Sequence, residues 1–256
     1  MIRQIVADLA LSLALAVCCY GGPRTENTTR TGTDKEITIH IHNYAGASLS
    51  VVRHAERVAG SILREAGVNT VWAECPVDQD FSHDPICGKP FSSLDFVFNL
   101  VPRSMSDHWH LRGGVLGLAI EADGKAFGSS ASIFYDVVRD CAAQRREDLD
   151  QLLGAAIAHE LGHLLLGTNS HSTTGLMSAF WTRKQLIVVQ HRRLAFSSPE
   201  AERVQKAVLA RRLAALSAAE TSESVTFVPR STIGTVDAPA FWDSSTIRRR
   251  ASSRYP

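Results

Sequence analysis

Apolar and polar positions begin to alternate at Glu36. In EITIHIHNY, Ile37, Ile39 and Ile41 share one face and Thr38, His40 and His42 the other, the period of a strand. The spacing then becomes helical in SLSVVRHAERVAGSILREAG, which Ser48 can cap and Gly67 ends. VNTVWAEC predicts a second strand, and LDFVFNLV, closed by Pro102, a third. Between them a loop rich in Pro, Asp and Gly carries Cys75 to Cys87. Residues 103–113 predict a surface loop, with His108 and His110 on it. The run GGVLGLAIEADGKAFGSSASIFYDVV predicts two further strands, near 115–121 and 131–138. A helix begins near Asp148 and another covers about 183–192. The next runs from Ser198 to Leu216, with Ser198, Pro199 and Glu200 as cap, N1 proline and first-turn acid. The front strand-helix-strand crossover implies a parallel pair, and the later close-set strands allow an antiparallel edge. The order predicts an α+β fold with a mixed, twisted sheet of about five strands and helices at the C-terminal end.

Composition adds bounds. The 256 residues suffice for one large domain or two small ones, and 45% hydrophobic with 21% charged residues is ordinary for a soluble globular protein. A formal net charge of +1 gives no global field for nucleic acid or an anionic membrane. Near the N-terminus, Arg3 precedes an apolar run from Leu9 to Cys19 that Gly21, Gly22 and Pro23 end. This run is short for a bilayer span and suits a signal peptide over 1–22, followed by a polar linker over 23–35. Cys18 and Cys19 also raise a lipid anchor, to which Val17 is a poor fit, and a packed N-terminal helix is the plainer alternative. Residues 217–256 are rich in Ser, Thr, Ala and Arg and predict a disordered tail. The expectation is an exported monomer, secreted or periplasmic, with no stable membrane span in the mature chain. Export permits a disulfide between Cys75 and Cys87, leaving Cys141 as the odd thiol. His40 and His42 read as a polar strand face, because nothing nearby in the sequence completes a metal site.

The chemistry concentrates in AHELGHLLLGTNSHSTTGLM, residues 158–177. His159 and His163 are four apart, so a helix puts both imidazoles on one face. Their nitrogens can then reach one Zn²⁺ at about 2.0–2.1 Å. Glu160 is displaced around the helix, beside a metal rather than on it, where it can take a proton from water. Leu152, Leu153, Ile157, Leu161, Leu164 and Leu165 make the helix largely buried, and a metal removes the cost of burying the polar group among them. Gly167 can end the helix in a left-handed conformation, and a turn can bring His171 back to the ion.

HELGH, a following glycine, a third histidine and a nearby methionine resemble the metzincin zinc peptidases, either the matrixin branch or an archaemetzincin-like form. His171-Ser172, Leu176-Met177, GVLGLA and IFYD are the matrixin-like details, and the likeness covers roughly residues 36–166 and the turn after them. The motif departs from the family pattern. Gly167 stands one place late and His171 two places late, with Asn169 where the third ligand usually stands. The resemblance implies a zincin-like catalytic domain over 36–216 and one catalytic Zn²⁺ on His159, His163 and His171. It also implies a structural turn at Met177 and an edge strand at Gly117, Leu118 and Ala119 that pairs with a peptide or protein substrate. Glu160 is the implied general base, and Phe180 or Trp181 the implied pocket wall. PICGKP around Cys87 is similar to the matrixin propeptide element, but it lies between two strands here, so a disulfide to Cys75 is the preferred reading. Two other readings remain: a non-catalytic zinc-stabilised peptide-binding module, and a distal glutamate ligand at Glu200 or Glu202.

Overall fold

The strands are β1 (Glu36–Asn43), β2 (Asn69–Cys75), β3 (Asp95–Val101), β4 (Gly117–Ile120) and β5 (Ser130–Phe134). The helices are α1 (Leu49–Glu65), α2 (Arg103–His108), α3 (Tyr135–Arg145), α4 (Leu149–Leu166) and α5 (Ser198–Glu223). The computed structural model describes residues 35–77, 84–111, 114–120, 129–167, 170–181 and 194–223, all in one unit spanning 32–256. The signal peptide expected at 1–22, the expected linker up to residue 34, the helix expected at 183–192 and the tail beyond 223 lie outside the described residues.

The strands form one mixed α+β sheet in the order β2-β1-β3-β5-β4, parallel throughout except for β4 against β5. Alternation decides how it is covered. Ile37, Ile39 and Ile41 of β1, Phe96, Phe98 and Leu100 of β3, and Ala131 and Ile133 of β5 are buried in one cluster with α1 and α4. On the opposite face, Ala73, Cys75 and Cys87 form a small separate cluster, and Val101, Val115 and Phe134 another. No described helix is long and apolar enough to cross a membrane.

Three local expectations change. The strand expected to reach 138 stops at Phe134, and the chain turns directly into α3. Tyr135, Val138 and Ala142, spaced three and four apart, bury one face of that helix, and packing overrides the strand preference of Tyr-Asp-Val-Val. The loop expected at 103–113 opens with α2, whose Met105 packs with Trp109 on Val101, Val115 and Phe134. Ser48 stands at the α1 cap, but its hydroxyl meets Ser50 Oγ at 3.2 Å rather than the helix backbone.

The C-terminal helix locks the structure. Its cap is Ser197, one residue before the expected one. The Glu200 carboxylate accepts the Ser197 N–H at 2.7 Å, the acid's half of a capping box, and Ala201 N–H donates to the Ser197 carbonyl at 2.8 Å as the first helical bond. α5 continues past Leu216 to Glu223. Two of its arginines reach the last turn of α4, where carbonyls lack helical partners. Arg203 donates to the Leu166 carbonyl at 3.1 Å, and Arg211 to that of Leu164 at 2.8 Å. Arg211 is only 1% exposed and lies 4.7 Å over the Phe96 ring. Burial lowers its guanidinium pKa to about 10, so it remains charged at neutral pH.

α1 and α4 approach closely at Gly154. A Cβ there would come within 2.6 Å of the Ala55 carbonyl oxygen and 2.6 Å of Val58 Cβ. Gly154→Ala raises helix propensity by about 1 kcal/mol, whereas overpacking costs about 1–3 kcal/mol. The expected outcome in urea unfolding is a net loss of about 1 kcal/mol; a gain would show that the two helices do not meet there.

Candidate metal centre

α4 is buried without a break from Leu152 to Leu165. A helix covered on every side offers its polar side chains no solvent, so His159, Glu160 and His163 need internal partners. The helix spacing sets the His159 and His163 rings edge to face, with centroids 4.7 Å apart. Gly167 then ends α4 at φ 94 and ψ 157. This is not the left-handed helical conformation expected from the sequence but an extended positive-φ region that glycine alone adopts readily. Beyond the turn, the His171 ring lies 4.6 Å from that of His163.

The three rings converge on their Nε2 atoms. His163 Nε2 lies 3.1 Å from His159 Nε2 and 3.1 Å from His171 Nε2. Contacts on the far side of two rings assign their hydrogens. His159 Nδ1 donates to the Leu176 carbonyl at 2.8 Å, since a carbonyl only accepts. His163 Nδ1 lies 3.1 Å from Ser170 Oγ and the ring is also bonded to the Gly167 backbone. His159 Nε2 therefore presents a lone pair to the common point, and a hydrogen on His163 Nδ1 would leave His163 Nε2 doing the same. Protons do not fill the gap. Burial, then the neighbouring His163 charge, lowers the His159 pKa to about 3. Burial, then His171, lowers that of His163 to about 4, and burial lowers that of His171. Neutral imidazoles facing one another through lone pairs repel unless a cation lies between them, so the donor set fits a metal ion.

The turn around Met177 supports this set from below. Ser172 N–H donates to the Met177 carbonyl at 2.8 Å, and Leu176 N–H to the Ala195 carbonyl at 3.0 Å. Met177 is fully buried, and a Cβ at Gly162 would lie 2.3 Å from its sulfur. Trp181, one of the two implied pocket-wall residues, packs beside the histidines. It is 4% exposed, stands edge-on to His159 at 5.5 Å, and donates its Nε1–H to the same Leu176 carbonyl at 3.1 Å. Phe180 is exposed.

Glu160 points toward β4. A Cβ at Gly117 would come within 2.6 Å of Glu160 Cγ and 2.8 Å of its Oε1, and Ala119 donates a backbone hydrogen bond to the carboxylate. Leu118 packs on the other side, against the Val101 and Phe134 cluster. Burial raises the Glu160 pKa to about 8, opposed by the Ala119 bond.

The other sequence candidates fall elsewhere. Glu200 spends its carboxylate on the α5 cap and Glu202 is exposed. Asn169 lies outside the described residues. Cys75 and Cys87 form a disulfide, with Cα atoms 5.7 Å apart, and Cys141 is free. Among the described residues, His42, His108 and His110 join no donor cluster, but His40 does, with the two cysteines. Sequence reasoning missed Ser170 and the packing role of Gly162; a glycine inside HELGH, in mid-helix, is the signal that could have marked the latter.

No family model, curated protein or solved structure matches this chain.

With the disulfide intact, the chain is expected to bind one equivalent of Zn²⁺. His159→Ala, His163→Ala and His171→Ala should each weaken it by more than the roughly 10–100-fold typical of losing an outer partner, the loss expected for Ser170→Ala. Isothermal titration checks this, and unchanged affinity in His171→Ala would remove that residue from the ligand set.

Proposed function

We propose that the chain is a zinc-dependent endopeptidase of metzincin-like architecture. The observation that supports this most is the convergence of His159, His163 and His171 with Glu160 one residue along the same buried helix. A purely structural metal site has no use for a buried carboxylate beside its ligands. When bound, the ion would act as a Lewis acid, polarising a carbonyl and lowering the pKa of its water to about 7.

The protein's own groups would then divide the remaining work. The Leu176 carbonyl holds His159 in the tautomer that offers Nε2, and Ser170 orients the His163 ring through its Nδ1. Glu160 takes the proton of the attacking water and passes it to the leaving amine, so no net proton is consumed within the site. Burial alone favours its protonated form; the Ala119 N–H, and the charge of a bound cation close by, would favour the carboxylate that accepts the proton. β4 is one of the two edge strands of the sheet. An extended peptide lying along it would pass the Glu160 carboxylate and gain main-chain hydrogen bonds. Gly117 leaves room for that carboxylate, which a larger residue would displace.

Glu160→Gln is expected to keep the metal and the fold and to lose peptide hydrolysis by about 10²–10⁴-fold, because the amide preserves shape but takes no proton. The measurement is cleavage of a broad peptide library by zinc-loaded wild type and mutant, with metal content determined in parallel. Equal, chelator-insensitive cleavage by both would place the activity elsewhere. A metal-loaded wild type that binds peptides but cleaves none would favour the binding-module reading.

A further inference from the structure

A second donor cluster lies on the sheet face opposite α1 and α4. In the strand register His40 of β1 is opposite Val97 of β3 and Ala73 of β2, while Asp95 is opposite Thr38 and Cys75 opposite His42. Asp95 and Cys75 therefore flank His40 diagonally, one on each neighbouring strand, and all three side chains share a face. His40 is 2% exposed, Cys75 6% and Cys87 5%. The edge of His40 packs on Phe91, with centroids 4.9 Å apart.

The polar contacts orient the ring. His40 Nε2 lies 2.8 Å from Asp95 Oδ1, and Asp95 Oδ2 accepts the Ser92 N–H at 2.7 Å and the Ser92 hydroxyl. Burial works to raise the Asp95 pKa, but the bonds from His40 and Ser92 hold it below its ordinary value. An ionised carboxylate only accepts, so His40 Nε2 carries the hydrogen. The other nitrogen, Nδ1, faces Cys75 Sγ at 3.7 Å. In the disulfide that sulfur has no hydrogen to give. A buried imidazole is thus held by a carboxylate with its free lone pair directed at a sulfur, the arrangement in which metal-ligating histidines are commonly found. A ring nitrogen of His40 and both sulfurs lie within 4.8 Å of one another.

We propose that reduction of the Cys75–Cys87 bond opens a second metal site, in which the two thiolates and His40 Nδ1 bind one thiophilic divalent ion such as Zn²⁺, with water in the fourth position. A dithiol reductant supplies two electrons and two protons. The S–S bond breaks into two thiols while the reductant closes to its own disulfide. The incoming ion then displaces both thiol protons and takes the neutral imidazole as third donor. Oxidation removes two of the three donors, so occupancy reports the thiol–disulfide state. The site shares no residue with His159, His163 and His171.

The test uses the full chain with Cys18, Cys19 and Cys141 replaced by serine, titrated with Cd²⁺ before and after reduction by a phosphine. Thiolate-to-cadmium charge-transfer absorption reads this cluster alone, since the three-histidine cluster has no sulfur. One thiolate-bound Cd²⁺ per reduced chain and none per oxidised chain is the expected result. Asp95→Asn should weaken the reduced site by about 10–100-fold, as loss of an outer partner does, and His40→Ala by more. Circular dichroism in the same samples tracks the fold. Absence of the absorption in the reduced chain would overturn the proposal. So would unchanged affinity in both variants, which would mean two loose thiols suffice. Unfolding on reduction in the presence of Cd²⁺ would overturn it as well, because only the folded sheet brings His40 to the sulfurs.

Discussion

Everything around α4 follows from the cost of placing two imidazoles and a carboxylate in a helix that sees no water. Each of those groups is met by something built for it. The Leu176 carbonyl takes the His159 N–H, Ser170 stands at His163, and Ala119 donates to Glu160. An unmet buried polar group costs about 1–3 kcal/mol, and three would consume much of the net stability of a domain this size. What these partners leave over is the convergent set of Nε2 atoms, an electrostatic conflict that the protein atoms beside them do not resolve.

The surrounding elements act as positioning devices for that helix. α1 closes against it where Gly154 permits, and α5 satisfies its last carbonyls through Arg203 and Arg211. The tight fit of Gly162 on Met177 brings the turn under the histidines, and that of Gly117 on Glu160 brings β4 over the carboxylate. In both places the absence of a side chain sets the distance between a polar group and its support. The Leu176 carbonyl has two donors, His159 and Trp181, so the turn and the ring share one anchor.

Much of this was legible before any coordinates. Period-two alternation marked β1 and β3, whose apolar residues are the sheet's buried face, and four-residue spacing marked His159 and His163. His171 was readable only as a residue that a turn could return, because its distance from His163 depends on how Gly167 and the residues after it bend. α3 was hidden: Ile133-Phe134-Tyr135-Asp136-Val137-Val138 has strand-like composition, and only burial against α4 and the sheet makes its second half helical. The His40 cluster was illegible for a different reason. Its members sit on three strands, and only the sheet register makes neighbours of Asp95, His40 and Cys75. Ser170 and the Leu176 carbonyl left no sequence mark, since a hydroxyl or a peptide oxygen at a turn is compatible with many roles.

The two halves of the candidate centre differ in how far along the chain their parts must travel. His171 follows His163 by 8 residues and the Leu176 carbonyl follows His159 by 17, so the donors and their support close through short loops. β4 reaches Glu160 only after β5 and α3 have intervened in the chain. Closing the longer loop carries more conformational entropy and depends on the mostly parallel sheet being in place, and such non-local pairing is intrinsically slow. The order of assembly that follows has the histidine cluster forming as a local unit while the carboxylate still awaits its strand. If the centre takes the ion proposed for it, capture would precede, and template, the docking that completes the site.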